Sequence, residues 1–442
     1  MKEETTWVEK LSEWISTSIM LKLITVTILM LLLLIPNSMV DSIIEERKNL
    51  SQRVTNEVSS VWANSQRIKG PVLSIPLTLR HENEDGPYYT TIHWHVLPEH
   101  LNVDGEVFPE KLNRGIYDVA VYRSSLSLNG KFKLPKAPSL ENLHSINYED
   151  AFLTVGISDL RGIESQIQVK WEGENKPVES GSNLNNFASS GINIPLNDSN
   201  LSGNFQINID LQGSKSLLFA PVGGETKVNL KSTWEDPKFF GAFIPDHRTV
   251  DDSGFTAEWS VLELNRNFPQ SFTGSGMLSQ IESSMFGVEL YLSLDDYQKA
   301  KRSSKYGVMT IALTFLIFFL VEVVNRRKIH PFQYALVGLA LCLFYVILVS
   351  LSEHLDFNAS YAISTLTIVG LISAYGFSVL KLPKLVLLLF LSLLGIYGFM
   401  FVTLQMADYA LLMGSVGLLI ILAATMFFTR NIDWYSLKRK EV

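Results

Sequence analysis

The chain has 442 residues, 47% of them hydrophobic and 18% charged, with a formal net charge of −7. That length exceeds one small domain and is enough to bury a large core. Between Asp41 and Lys305 stand 25 basic and 34 acidic residues, a mixed acidic balance that excludes a basic nucleic-acid footprint and favours solubility over attraction to anionic lipid. The one cysteine, Cys342, lies inside an apolar run, so no disulfide can form within the chain.

Residues 1–18 place Trp7, Val8, Leu11, Trp14 and Ile15 on one helical face, which predicts an amphipathic helix lying in a membrane interface. Residues 19–40 predict a first transmembrane helix. The region before it is long and acidic, and no small-residue cleavage site follows, so a retained signal anchor fits better than a cleaved signal peptide. Residues 41–69 are charged, with apolar positions at Ile44, Leu50, Val54, Val58 and Val61. They predict a helical stalk reaching about 40 Å, ended by Gly70-Pro71.

From 70 to 300 the apolar period becomes two. Leu73, Ile75, Leu77 and Leu79 alternate with polar residues, as do Ile167, Val169 and Trp171, and Phe205, Ile207, Ile209 and Leu211. Turn signals such as Glu84-Asp85-Gly86-Pro87, Asn129-Gly130 and Gly223-Gly224 separate the runs. Alternation with one wet face predicts antiparallel sheets, here one large β-sandwich or two smaller ones. The polar stretch 173–190 is the candidate long loop or internal boundary.

The segment 307–430 is almost wholly apolar and is cut into five pieces near 307–324, 332–351, 359–380, 385–403 and 409–428. Each approaches the roughly 20 residues that cross a bilayer as a helix. The fold class expected is therefore a membrane helical bundle plus an all-β extracytoplasmic domain, with six transmembrane helices and the sandwich inserted between the first and second. Lys/Arg bias sets the orientation. With both termini and the 431–442 tail in the cytoplasm, the inner segments hold Lys22, Arg326, Arg327, Lys328, Lys381, Lys384 and Arg430, while the short outer loops hold no base. Residues 41–306 are then periplasmic. Lys299, Lys301, Arg302 and Lys305 oppose this, because they flank the second span on its outer side. The mid-span glycines Gly338, Gly370, Gly395 and Gly417 suggest close helix packing.

No catalytic motif stands out. His93-x-His95 on one strand face could supply half of a zinc site, but no third ligand has a telling spacing, so no metal or cofactor is expected. In the bundle the candidate functional polar residues are Glu322, His330, Glu353, His354, Arg430, Asn431 and Asp433. Ionisable groups at membrane depth are costly and often functional. These lie near helix ends, however, and Glu322 has the i,i+4 spacing of an ordinary ion pair with Arg326.

The order of parts, and several words within it, resemble a known family. Gly70-Pro71-Val72-Leu73-Ser74-Ile75-Pro76, Leu97-Pro98-Glu99 with Val103-Asp104-Gly105, Arg114-Gly115-Ile116-Tyr117, Asp159-Leu160-Arg161-Gly162-Ile163 and Ser253-Gly254-Phe255 carry the likeness through the middle of the chain. His330-Pro331-Phe332-Gln333-Tyr334, Leu351-Ser352-Glu353-His354 and Thr429-Arg430-Asn431-Ile432-Asp433-Trp434-Tyr435 carry it through the bundle. Together they resemble the CreD family of bacterial inner membrane proteins. The resemblance implies a role in envelope integrity and in responses to agents that attack the envelope, and supplies no catalytic residues. The expected function is a non-enzymatic envelope protein of the inner membrane. Its partners are the lipid bilayer and a periplasmic protein or cell-wall material bound by the outer sandwich. A membrane enzyme or transporter built on the polar bundle residues is the alternative, and a pure membrane stabiliser a third reading.

Overall fold

The computed structural model describes residues 19–182, 184, 190–198, 200–274, 276–290, 295–325, 329–406 and 409–430. The predicted interfacial helix of residues 1–18, and Asn431 and Asp433, lie outside the described residues. The chain forms two units: Met1–Ser51 with Ser293–Val442, and Gln52–Leu292.

The helical unit is built from α1 (Ile19–Leu32), the first part of α2 (Leu34–Trp62), α3 (Asp295–Lys305), α4 (Gly307–Val324), α5 (Pro331–Ser352), α6 (Phe357–Leu380), α7 (Pro383–Gln405) and α8 (Ala410–Thr429). The last five coincide with the five apolar runs. Breaks between them carry local causes. His330 caps α5, with its Nδ1 accepting from Phe332 N at 3.2 Å, and Pro331 sits where its missing N–H costs nothing. Asp356 caps α6 by accepting from Asn358 N and Ala359 N. Lys381 ends that helix at a φ of 55°.

Among the described residues, four helices are long and apolar enough to cross a membrane: Met20–Trp62 taken as one run, α5, α6 and α7. The bent pair Gln298–Lys305 and Gly307–Val323 makes a fifth if it is one span, and Leu412–Phe427 is apolar but shorter. Two of the four mid-span glycines do mark close packing. A Cβ on Gly338 would meet Leu33 Cδ1 at 2.1 Å, and one on Gly417 would meet Phe399 Cζ at 2.4 Å. Gly370 and Gly395 face open space, which corrects the expectation for those two.

The β unit is two sheets around one core. The ten-stranded sheet runs Pro237–Gly241, Phe286–Leu290, Ser216–Phe219, Gln66–Asn83, Phe152–Ile157, Gly191–Pro195, Glu179–Ser180, with Gly86–Val96, Ser271–Thr273 and Leu143–Ile146 added beside this path. The eight-stranded sheet runs His247–Asp251, Gly254–Leu262, Glu225–Ser232, His100–Arg114, Tyr117–Phe132, Gly203–Ser214, Gln168–Trp171, Glu174–Lys176. Apolar residues of both sheets share one cluster, in which Trp259 of the second sheet and Phe286 of the first stand 5.7 Å apart between ring centroids. The Tyr122 hydroxyl donates to Ser216 O across the same core at 2.8 Å, and burial pushes its pKa up.

Three expectations are corrected. The stalk helix ends at Trp62, and Gly70-Pro71 lies inside the strand that begins at Gln66. Register shifts between Lys69 and Val72, so the Gly-Pro pair occupies an irregularity where a proline, lacking an N–H, does not break the ladder. The sheets are mixed: Gln66–Ile68 pairs parallel to Leu217–Phe219, and His100–Val107 parallel to Glu225–Ser232. Parallel neighbours need long crossovers, which the intervening strands of both sheets provide. Finally, the 173–190 stretch falls within one unit, carrying the chain from an edge strand of one sheet to an edge strand of the other.

Candidate functional site

Glu322, near the end of α4, is 4% exposed and holds three donors. Lys22 Nζ of α1 contacts its Oε1, Ile329 N donates to the same oxygen at 2.8 Å, and the Tyr334 hydroxyl donates to Oε2 at 2.9 Å. A buried carboxylate is tolerable only when paired and hydrogen-bonded, and this one is both. The expected local partner, Arg326, lies outside the described residues. Lys22 itself is buried, within the first turn of α1. The sequence carried a signal for this pairing that went unread: a lone cation inside one apolar run and a lone anion inside another.

His330-Pro331-Phe332-Gln333-Tyr334 now has a physical content. His330 and Gln333 form a reciprocal cap, with His330 N donating to Gln333 Oε1 at 2.9 Å, and the turn they fix presents Tyr334 to Glu322. Phe315 and Phe318 enclose the Tyr334 ring edge-on.

A second polar set gathers α2, α3 and the end of α5. Ser304 donates to Asp41 at 2.6 Å, Lys301 pairs with Glu45, and Arg47 Nε lies 3.5 Å from Glu353 Oε1. His354, next in the chain, is exposed. Arg430 is exposed too, its guanidinium 4.1 Å over the Phe427 ring. Glu322 and Glu353 therefore sit in separate polar sets. Tyr334, with Glu322, marks the beginning of α5, and Glu353 follows its last residue, nineteen positions later and about 28 Å away at the helical rise.

In the β unit a third set receives the end of α2. Asp159 accepts from Asn64 N and Asn64 Nδ2, both at 3.0 Å, and from Arg161 Nη2 at 2.6 Å. Arg161 Nη1 reaches Ser60 O at 2.5 Å. The Arg161 guanidinium holds the Asp159 carboxyl well below the usual carboxylate range, against the opposing effect of burial. Gly162 admits this approach, since a Cβ there would meet Gln66 Nε2 at 2.5 Å and Ala63 Cβ at 3.2 Å. The Asp159-Leu160-Arg161-Gly162-Ile163 word thus reads as a latch on the helix end.

His93 and His95 do share a strand face, their rings 6.1 Å apart. His95 is 3% exposed, its Nδ1 lies 2.9 Å from Ser74 Oγ, and burial, with a smaller contribution from His93, pushes its pKa down to about 4. Among the described residues no three His, Cys, Asp or Glu side chains group so as to hold a metal ion.

Residues 18–435 match the family described as Inner membrane protein CreD. The chain is 34% identical over 415 residues to Inner membrane protein CreD of Escherichia coli (strain K12), an alignment spanning 92% of this chain and 91% of that protein. With apolar helices in one unit and the family's words serving as cap, latch and strand irregularity, the chain belongs to the CreD family of inner membrane proteins.

Proposed function

We propose that this protein supports the integrity of the cell envelope and its response to envelope stress, with the β unit as a periplasmic sandwich that binds a protein or cell-wall partner. The helical unit anchors it through six spans with both termini in the cytoplasm. The observation that carries the reading is the engagement of the bundle's ionisable groups. Glu322 is matched by Lys22, Tyr334 and Ile329 N, Glu353 is matched by Arg47, and the two carboxylates stand at opposite ends of α5. A transporter or membrane enzyme would bring such groups together at one cavity.

The test has three arms in a strain lacking the chain. The full protein is expected to restore tolerance of envelope-directed agents. Glu353→Gln and His354→Gln, at matched protein levels, should restore it equally; loss of rescue would move the function into the bundle. A chain without residues 66–292 should fail, and rescue by it would remove the β unit from the function. For orientation, Ser180→Cys is exposed whereas native Cys342 is buried, so a membrane-impermeant maleimide should label only the variant from outside.

A further inference from the structure

α7 packs against α4 on one side and α8 on the other, and between them lies a groove of about 470 Å³. Its walls are aliphatic, with Leu316 and Leu320 from α4, Leu388 from α7 and Ile421 from α8. That volume falls in the range of small-molecule pockets, roughly 300–1,000 Å³. Its length identifies the class of occupant. On α4 the lining runs from Leu313 to Asn325 and on α7 from Leu385 to Ile396, about 16–18 Å at the helical rise. A bilayer core is about 30 Å thick, so the groove is one leaflet deep. A transmembrane helix from a second copy would need twice that length; a fatty acyl chain fits it.

Two cations stand in the chain just beyond the lining residues at one end of the groove. Asn325 closes α4 there, Lys384 immediately precedes the lining residue Leu385, and Arg430 follows α8 five residues after the lining residue Thr425. Lys384 and Arg430 are both exposed. Two cations at the mouth of a one-leaflet aliphatic groove complement a lipid whose headgroup is negative.

We infer that the cleft between α4, α7 and α8 is a binding site for one anionic glycerophospholipid, with an acyl chain along the groove and the phosphate against Lys384 and Arg430. The site rests on the helical unit being in a bilayer, not on the periplasmic role proposed for the β unit.

The full chain, purified in detergent, is examined by native mass spectrometry with palmitoyl-oleoyl phosphatidylglycerol and with phosphatidylcholine of the same chains. One phosphatidylglycerol should be retained with about tenfold preference, near 1.4 kcal/mol. Lys384→Gln with Arg430→Gln should reduce the preference to parity, and Lys384→Arg with Arg430→Lys should keep it. Ala424→Phe, which fills the groove, should remove both lipids; Ser392→Phe on another wall gives the same readout if the first variant unfolds. Equal retention of the two lipids by the native chain would overturn the inference. So would undiminished binding in both groove-filled variants, or a lipid-free dimer mass, which would make the cleft a contact between copies.

Discussion

Lys22 and Glu322, three hundred positions apart in the chain, form one buried ion pair joining α1 to α4. Tyr334 and the Ile329 N–H complete the shell around the carboxylate. The pair ties the N-terminal helix to α4, because moving α1 away would leave a buried carboxylate without its cation.

Removing one partner is therefore expected to cost more than removing both. Lys22→Met alone strands a buried carboxylate, at about 3–5 kcal/mol. Lys22→Met with Glu322→Leu should recover most of that loss, since an apolar pair of similar volume avoids the desolvation cost. Tyr334→Phe should cost about 1.5–3 kcal/mol, the value of a hydrogen bond to a charged group. Chemical denaturation of the full chain in micelles measures all three. Equal losses in the single and double variants would remove the ion pair as the fastening.

The Asp159 latch should fail in a different way. Asp159→Ala removes the acceptor of Asn64 N and Nδ2 and leaves donors at the end of α2 unpaired. The expected cost is about 2 kcal/mol, most of it from Asn64, because the Arg161 side chain is 58% exposed and its pairing is screened. The carboxyl's pKa is depressed in the fold, so its contribution is present above about pH 4, the ordinary value, and fades as pH falls below that. Limited proteolysis should show faster cleavage between Trp62 and Gln66 in the variant, and unchanged cleavage there would deny the latch its role.

How much of this was legible in the sequence depends on the range of the interaction concerned. Local signals were read correctly: Pro331 and His330 start a helix, and alternating Phe205, Ile207, Ile209 and Leu211 are all buried in a strand. The five apolar runs from Gly307 onward are five helices. What escaped was long-range. Gly70-Pro71 looked like a helix stop because the dipeptide has that meaning locally; its place in a strand depends on Thr154, whose carbonyl lies 2.7 Å from where a Gly70 Cβ would be. The parallel neighbours of His100–Val107 depend on residues more than a hundred positions later. Local spacing offers Arg326 to Glu322, whereas the base that contacts it among the described residues is Lys22 of α1, three hundred positions earlier in the chain.

The His95 site makes the β unit sensitive to acid in its own window. Its folded pKa near 4 lies below the ordinary value of 6.5, so between those pH values the unfolded chain binds a proton that the fold refuses. Stability contributed by the neutral ring is complete above pH 6.5 and is lost as pH falls toward 4, by about 3 kcal/mol in all. Denaturant melts of the full chain in micelles, followed by tryptophan fluorescence, should show this slope at pH 7.5, 6 and 5. His95→Gln should flatten it. A native slope unchanged by that substitution would assign the acid sensitivity to other groups.

Gly338 and Gly370 offer a paired test of helix packing, because both are helical glycines and only one is crowded. A Cβ at Gly338 would meet Leu33 Cδ1 at 2.1 Å and Phe315 Cζ at 3.1 Å, so Gly338→Ala overpacks the α1–α2 join against α5. The expected loss is about 1–3 kcal/mol, offset in part by the better helix propensity of alanine. Leu33→Ala in the same chain opens the space and should return part of the loss, a coupling that independent sites would not show. Gly370→Ala meets nothing within 4 Å and should be neutral or slightly stabilising, by up to about 1 kcal/mol. Thermal melting of the full chain in micelles ranks the three variants against the native chain. A Gly370→Ala chain as damaged as Gly338→Ala would mean that the α6 glycine faces a neighbour after all.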